Sequence, residues 1–434
     1  MRAATWRQGI PAFSILWLGQ LVSLIGSGLT RFALGVWVYQ QTGSVTSFTL
    51  ISLCAILPGG AVLPLAGALI DRWDRQRIMI ACNSIAAGVV LLLLGLVYAE
   101  QLALWHIYLG VTLLSSTNIF QWTAFIASVP VLVPKSQIGR ASGMIQTAQA
   151  LSEAVAPLMA GALIALLSLR GLLLLDLLSF AFAVGSLLLV QLPPPERTAE
   201  GARAAGSIWH EARYGWTYIR ARPGLFALLM YVTAIMFAFG VFQVLLSPLV
   251  LSFTSERQLG LILSAGGGGA LLSGIVLAMW GGPRRRITGV FAFGLLLGLS
   301  LILVSLRPWE PLIALAAFIG LAGFPLLSAC NQAIWSQQVE PDLQGRVFSI
   351  RYLISSSTLP TTYLVVGPLA DQVFEPLLMP NGALAGSVGA VIGVGEGRGV
   401  ALMLLGASIV PLAATLIGYL YPQLRSIDTP AQGE

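Results

Sequence analysis

LLLLDLLSFAFAVGSLLLV (172–190) decides the fold class: nineteen residues with no proline and a single charge, Asp176. Coiled as an α-helix at ~1.5 Å per residue it is roughly 28 Å long. That matches a bilayer hydrocarbon core of ~30 Å. A second block, Ile85–Tyr98, is uninterrupted by charge. The 434 residues are 57% hydrophobic and only 9% charged, with a mean hydropathy of +0.86. A soluble domain carries about 25% charged residues, so this chain cannot clothe a water-facing surface. It reads as an all-α membrane protein.

The pattern predicts twelve spans: Phe13–Tyr39, Thr46–Ala66, Ile78–Tyr98, Leu104–Leu132, Ala141–Ser168, Gly171–Leu192, Leu225–Ser252, Leu259–Trp280, Ile287–Leu306, Leu312–Trp335, Val347–Ala370 and Val400–Tyr421. The first is too long for the core of a signal peptide and is expected to be retained. With the N-terminus inside, eighteen Arg and Lys side chains fall on the cytoplasmic face and four on the other, with Arg31 inside the first span. Basic loops stay inside, so both termini are expected in the cytoplasm and the chain in the cell membrane. The net charge of +6 then reflects those loops and not nucleic-acid binding.

Residues 193–222 form the longest polar stretch, opened by Pro193–Pro195, which lack the amide donor a helix needs. An amphipathic helix is expected over Ser207–Arg220. The outward connection 372–399, rich in glycine, is expected to be a loop or a half-inserted segment. On either side of the central linker the chain repeats itself. Val133–Arg140 follows the fourth span and Glu340–Arg346 the tenth; each runs from a proline through a polar turn to Gly-Arg. Arg72–Arg77 follows the second span and Arg284–Arg286 the eighth. This duplication predicts a six-helix bundle in 1–192, a linker in 193–222 and a second bundle in 223–434. A binding site between two such halves is the plan of secondary transporters.

GALIDRWDRQR (67–77) is the most informative polar sequence. Gly67 permits close helix approach, Asp71 can face the positive end of a neighbouring helix, and Arg72, Arg75 and Arg77 can pair with acids or terminal carbonyls. The pattern G-x-L-x-D-R-x-x-R-x-R resembles the loop between the second and third helices of the major facilitator superfamily, with Asp74 where that family usually has glycine. SEAVAPLMAG (152–161) is similar to the fifth-helix motif of its antiporters, with alanine and serine in place of several glycines. WLGQLVSLIGSGLT (17–30), PLAGALIDRWDRQRIMI (64–80), LVPKSQIGRASGMIQ (132–146) and GRVFSI (345–350) resemble the macrolide-efflux and enterobactin-exporter branch, the third drug:proton antiporter family. The resemblance implies the major facilitator fold and alternating access. It implies a cytoplasmic gate of Gly67, Asp71, Arg72, Arg75 and Arg77, closing against Arg140, Gly345 and Arg346. The fourth span lacks the arginine that many proton antiporters of this superfamily carry there.

An ionisable group at mid-membrane costs about 2.5–3.5 kcal/mol or more and marks function. Glu153, thirteen residues beyond Arg140, lies roughly 20 Å along its helix and is the candidate proton or cation site. Arg31 and Asp176 fall in the outer half of the bundle, where an ion pair between them is expected. Gln20 and Ser23, Asn118 and Gln121, Gln146 and Gln149, Gln243, Asn331 and Gln332 are candidate cavity residues. Trp122 and Trp335 occupy similar places in the two halves and are candidates to stack on an apolar substrate. Gly266–Gly269 reads as a close-packing stretch.

Two histidines and three scattered cysteines provide neither a metal cluster nor a catalytic set, and no Gly-Lys-Ser/Thr phosphate loop is present. No cofactor is expected and no enzyme. The expected activity is export of small amphipathic compounds, driven by an ion gradient, with protons as coupling ion, lipid as surroundings and a monomer as the working unit. The alternatives are export of one endogenous metabolite, such as a siderophore or peptide natural product, or a membrane sensor or lipid-handling protein that transports nothing.

Overall fold

The computed structural model describes residues 9–70, 73–134, 137–190, 215–340 and 343–428. Within them eight helices are long and apolar enough to cross a membrane, and the chain forms two compact units. The first comprises Met1–Gly201 with Glu256–Ser264, the second Ala202–Ser255 with Ala265–Glu434.

The first unit is built from α1 (Ile10–Thr42), α2 (Val45–Ile70), α3 (Arg75–Tyr98), α4 (Leu104–Leu132) and α5 (Ile138–Leu189). The fifth and sixth expected spans are the two limbs of α5, which breaks at Ser168 (φ 55°, ψ −176°). Both limbs pack on α1, and glycine makes the approach possible. A Cβ on Gly19 would strike the Ser186 hydroxyl, and one on Gly26 would lie 2.6 Å from Ser179 Cβ and 2.9 Å from Asp176 Oδ1. Trp17 Nε1 donates to Met144 O at 2.6 Å across the same interface.

Apolar side chains gather at the two ends of this unit. One cluster holds Phe13, Leu16, Met79, Phe125, Leu132 and Leu187. The other holds Leu29, Leu34, Val90, Ile107, Leu172 and Phe180. On α1, α3 and α4 the residues between the clusters include Gln20, Asn83 and Gln121, all buried. A polar belt therefore crosses the middle of the bundle.

The end of the unit that carries α3's N-terminus is tied by side chains. Asp74 caps α3, accepting from the amides of Gln76 (2.9 Å) and Arg77 (3.3 Å). Gln76 Nε2 donates to Leu187 O and Val190 O at the end of α5, and Arg75 Nη1 to Ala127 O on α4 at 2.7 Å.

The second unit opens with a six-residue helix, α6 (215–220); the rest of the expected amphipathic segment, up to residue 214, lies outside the described residues. It continues with α7 (Pro223–Leu251), α8 (Glu256–Trp280), whose first turns belong to the first unit, α9 (Arg286–Leu306), α10 (Glu310–Gln338), α11 (Gln344–Ser356) and α12 (Thr358–Leu369). The eleventh expected span is thus interrupted at Ser357 and runs on into a π-helical turn, Ala370–Phe374. After it come α13 (Glu375–Leu378), α14 (Gly389–Ile392), α15 (Arg398–Leu420) and α16 (Pro422–Arg425). Rings of Phe239 and Phe324 stack at 5.0 Å, with Phe293 edge-on to both. Gly269 lets α8 meet α10, since a Cβ there would lie 2.6 Å from Phe318 O.

The outward connection is folded. The Glu375 carboxylate accepts from the amides of Gly397 (2.5 Å) and Val400 (3.3 Å), capping the start of α15. Arg398, 4% exposed, donates through Nη1 to Ile392 O. Asp428 does for α9 what Glu375 does for α15: its Oδ2 takes the Ile287 amide at 2.5 Å.

Candidate functional site

The polar belt of the first unit borders a cavity of about 270 Å³. Helix α1 contributes Gln20, Ser23, Ser27, Thr30 and Arg31, α4 contributes Ser115, Asn118, Gln121 and Trp122, and α5 contributes Asp176 and Phe180. Six residues singled out in the sequence as site candidates (Gln20, Arg31, Asn118, Gln121, Trp122 and Asp176) therefore converge on one cavity, with Ser23 beside them.

One face of the wall is an amide chain. Asn83 Nδ2 donates to Met79 O at 2.8 Å, which turns its oxygen toward α4. Gln121 Nε2 donates both to that oxygen (3.2 Å) and to Gln20 Oε1 (2.8 Å). Gln20 is 3% exposed, and its Nε2 finds no partner. Asn83 is not among the candidates read from the sequence. Its signal there is an amide within an otherwise apolar span, at the same depth as Gln20.

The expected Arg31–Asp176 ion pair is not made. Asp176 is fully buried and accepts from three hydroxyls: Thr30 at 2.6 Å, Ser179 at 3.1 Å and Ser27 at 3.5 Å. These donors stand closer to the carboxylate than the guanidinium, which attracts it only at longer range. Among the described residues the single ion pair within 4 Å is Arg77 with Asp74, at 3.6 Å. Arg31 is exposed to the open space it borders and lies in the field of both Glu153 and Asp176. Glu153 is exposed as well but does not line the cavity. Neither do Gln146 and Gln149, which stand on the first limb of α5 nearer its start.

In the second unit Trp335 is fully buried and donates to Asn331 Oδ1 at 3.0 Å. It packs within the protein and offers no face to a substrate, contrary to the expectation from sequence. Gln332 is exposed and accepts from Arg351 Nη2 at 2.7 Å. The Arg351 guanidinium sits over the Phe348 and Trp335 rings; in the sequence it counts only toward the cytoplasmic charge excess. Gln243 is an exposed position on a helix that is otherwise mostly buried.

Of the expected gate, Gly67, Asp71, Arg72, Gly345 and Arg346 lie outside the residues whose side chains are described. Arg75 is engaged by α4 within its own unit, while Arg77 and Arg140 are exposed. The antiporter-like motif ends at Gly161, where a Cβ would lie 2.9 Å from Gly260 Cα in the first turns of α8. Close backbone approach thus survives the loss of the other glycines.

Long apolar helices in two units, one of them enclosing a polar cavity at mid-depth, define a multipass membrane transporter of small molecules. The Major Facilitator Superfamily model matches residues 16–359, and the chain belongs to that family; it is a transporter and not an enzyme. Macrolide efflux protein A of Streptococcus pyogenes is 27% identical over 366 residues, covering 83% of this chain and 90% of that protein. Multidrug efflux pump Tap of Mycobacterium tuberculosis is 24% identical over 376 residues, covering 83% and 87%. In fold, the chain resembles a bacterial homolog of the human lysosomal transporter Spinster, solved inward-facing and unoccupied (TM-score 0.70, 14% identity, 97% and 98% covered). It also resembles the nucleoside transporter NupG (TM-score 0.65, 13% identity, 95% and 100% covered).

Proposed function

We propose that this transporter exports small amphipathic compounds across the cell membrane by alternating access, in exchange for protons. The observation that carries the reading is the mid-depth cavity, lined by amides, hydroxyls and Trp122, in a chain whose relatives along most of its length are efflux proteins. Amides and hydroxyls at that depth are costly to bury without partners, and a transported solute or its water satisfies them. The reading includes twelve crossings in two six-helix halves joined by residues 193–222, with both termini in the cytoplasm.

Glu153 is the proton carrier in this scheme. It is a carboxylate within a membrane span, exposed on its helix and in the field of Arg31. Protonation releases Arg31 from that attraction and so alters the charge beside the cavity. The loop 67–77 is the cytoplasmic gate in this scheme, with Arg77 and Arg140 exposed there. Proteoliposomes loaded with a fluorescent efflux substrate and given an imposed pH gradient test the scheme. Wild type is expected to drive flux and Glu153→Gln to abolish it while purifying as a folded monomer. Undiminished flux with an unchanged pH dependence removes Glu153 from coupling.

A further inference from the structure

A second cavity, of about 440 Å³, shares no lining residue with the first. It lies at the end of the first unit where α1 and α3 finish, α5 breaks and α8 begins. In the proposed orientation that end faces outward. Trp37, Ile164 and Leu169 give it apolar walls, and Arg170 and Glu256 give it one charge of each sign.

Each charge is held by a neutral neighbour. The Arg170 guanidinium stands over the Tyr98 ring, 4.9 Å from its centre, an attraction that leaves the charge intact. Gln40 Nε2 donates to Glu256 Oε1, which occupies one oxygen of that carboxylate. Glycine sets the place of Glu256: a Cβ on Gly161 would lie 2.8 Å from the Glu256 backbone oxygen, so α8 starts hard against α5. The two charges do not neutralise each other, since the single ion pair within 4 Å among the described residues is Arg77 with Asp74. Helix α5 reaches this wall through Ser168, at φ 55° and ψ −176°. A serine holds that left-handed φ at a cost, and such strain gathers at functional sites.

We infer that this cavity binds an amphipathic zwitterion, with its anionic group on Arg170, its ammonium on Glu256 and its apolar body against Trp37. A ligand with one charge gains one attraction here and meets one repulsion. A zwitterion gains both attractions and brings no net charge. The volume lies within the ~300–1,000 Å³ of drug-sized sites, room for a bicyclic body beside two charged groups. The site is separate from the mid-depth cavity, and its recognition chemistry does not depend on what that cavity carries.

Four probes built on one indole ring separate the cases. L-tryptophan and L-tryptophylglycine are zwitterions with their charges at a shorter and a longer spacing; L-tryptophanamide is a cation and N-acetyl-L-tryptophan an anion. Binding of each radiolabelled probe to the purified full chain is measured by equilibrium dialysis in mildly acidic buffer, against protein-free micelles. The better zwitterion is expected to bind saturably and about fivefold more tightly than either single-charge relative, the upper worth of an ion pair open to solvent. Arg170→Gln should erase its advantage over tryptophanamide, and Glu256→Gln its advantage over N-acetyltryptophan, a crossed pattern that general loss of structure does not produce. Thermal unfolding checks the variants; if either unfolds, the four-probe comparison on wild type decides alone. A wild type that shows no preference for a zwitterion, or a preference that survives both variants, overturns the inference. Once the preference is seen, phosphatidylethanolamine added to the micelles tells a lipid headgroup, which displaces the probe, from a soluble solute.

Discussion

The Asp176 carboxylate should behave as a clamp between α1 and the second limb of α5, and its worth can be divided among its partners. Ser179 Oγ also donates to the Asp176 backbone oxygen at 2.7 Å, so it keeps an acceptor when the carboxylate goes. Ser27, at 3.5 Å, lies at the edge of hydrogen-bonding range and contributes least. Thr30 is the donor that matters, at 2.6 Å and 2% exposed. A bond to an ionised acceptor is worth about 1.5–3 kcal/mol in water-soluble proteins, whereas side-chain bonds inside membrane proteins average about 0.6 and reach about 1.7. The Thr30–Asp176 coupling is therefore expected at about 1–1.7 kcal/mol, the upper part of the membrane range. The assay is a double-mutant cycle of Thr30→Val and Asp176→Asn, read by reversible unfolding in mixed micelles. Each single change should destabilise, and the double should cost less than their sum by that coupling. Additive losses, or a neutral Thr30→Val, would refute the assignment of Thr30 as the main partner. If Arg31 were the real counterion, Arg31→Gln would couple to Asp176→Asn as strongly as Thr30→Val does.

Other expectations follow from the caps and the close packing. Asp74→Ala removes the Oδ1 acceptor of both capping bonds at the start of α3 and should cost about 1 kcal/mol, while Asp74→Ser retains most of it; thermal melts of the two variants check this. Gly26→Val forces a branched side chain into Ser179 and Asp176 and should cost about 1–3 kcal/mol by overpacking, measured as a lowered midpoint of unfolding. Glu375, in the outward connection, has its carboxyl pushed above the ordinary range by burial, an effect only partly offset by the amides of Gly397, Val400 and Gly399. A raised folded-state value means the folded protein holds the proton longer than the unfolded chain. Stability from this group is thus full below the ordinary carboxylate range and is lost as pH rises through the raised value. Glu375→Gln should flatten that part of the stability–pH curve; an unchanged slope assigns it to another group.

Much of this was legible before any coordinates. Span length and hydropathy located α1, α3, α4 and α9 to within a few residues, because a helix in lipid must satisfy its backbone internally. Depth was legible in part: the predicted spans put Gln20, Asn118, Gln121 and Asp176 within the membrane, and they meet at one cavity. Rotation about the helix axis was not. Arg31 and Asp176 share a depth range, yet Thr30, one residue earlier on α1, is the one that faces the carboxylate. Trp335 resembles Trp122 in sequence position, but one is sealed among neighbours and the other half open. Local capping was readable and was missed. Asp74 before Arg-Gln-Arg is an ordinary N-cap signal, although it stood out only as a departure from glycine. The Glu375 cap bridges 22 residues, a separation that no local pattern announces.

The separation of the first unit's apolar packing into two terminal clusters, with amides and hydroxyls between them, divides labour along each helix. Cohesion resides at the rims, so exchanges among the waist residues, such as Ser23, Ser115 or Asn118, disturb few of the contacts that keep the bundle assembled. A lineage can therefore retune its cargo by drift at the waist while its architecture stays fixed, so changes in resistance or secretion profile should map to those positions first.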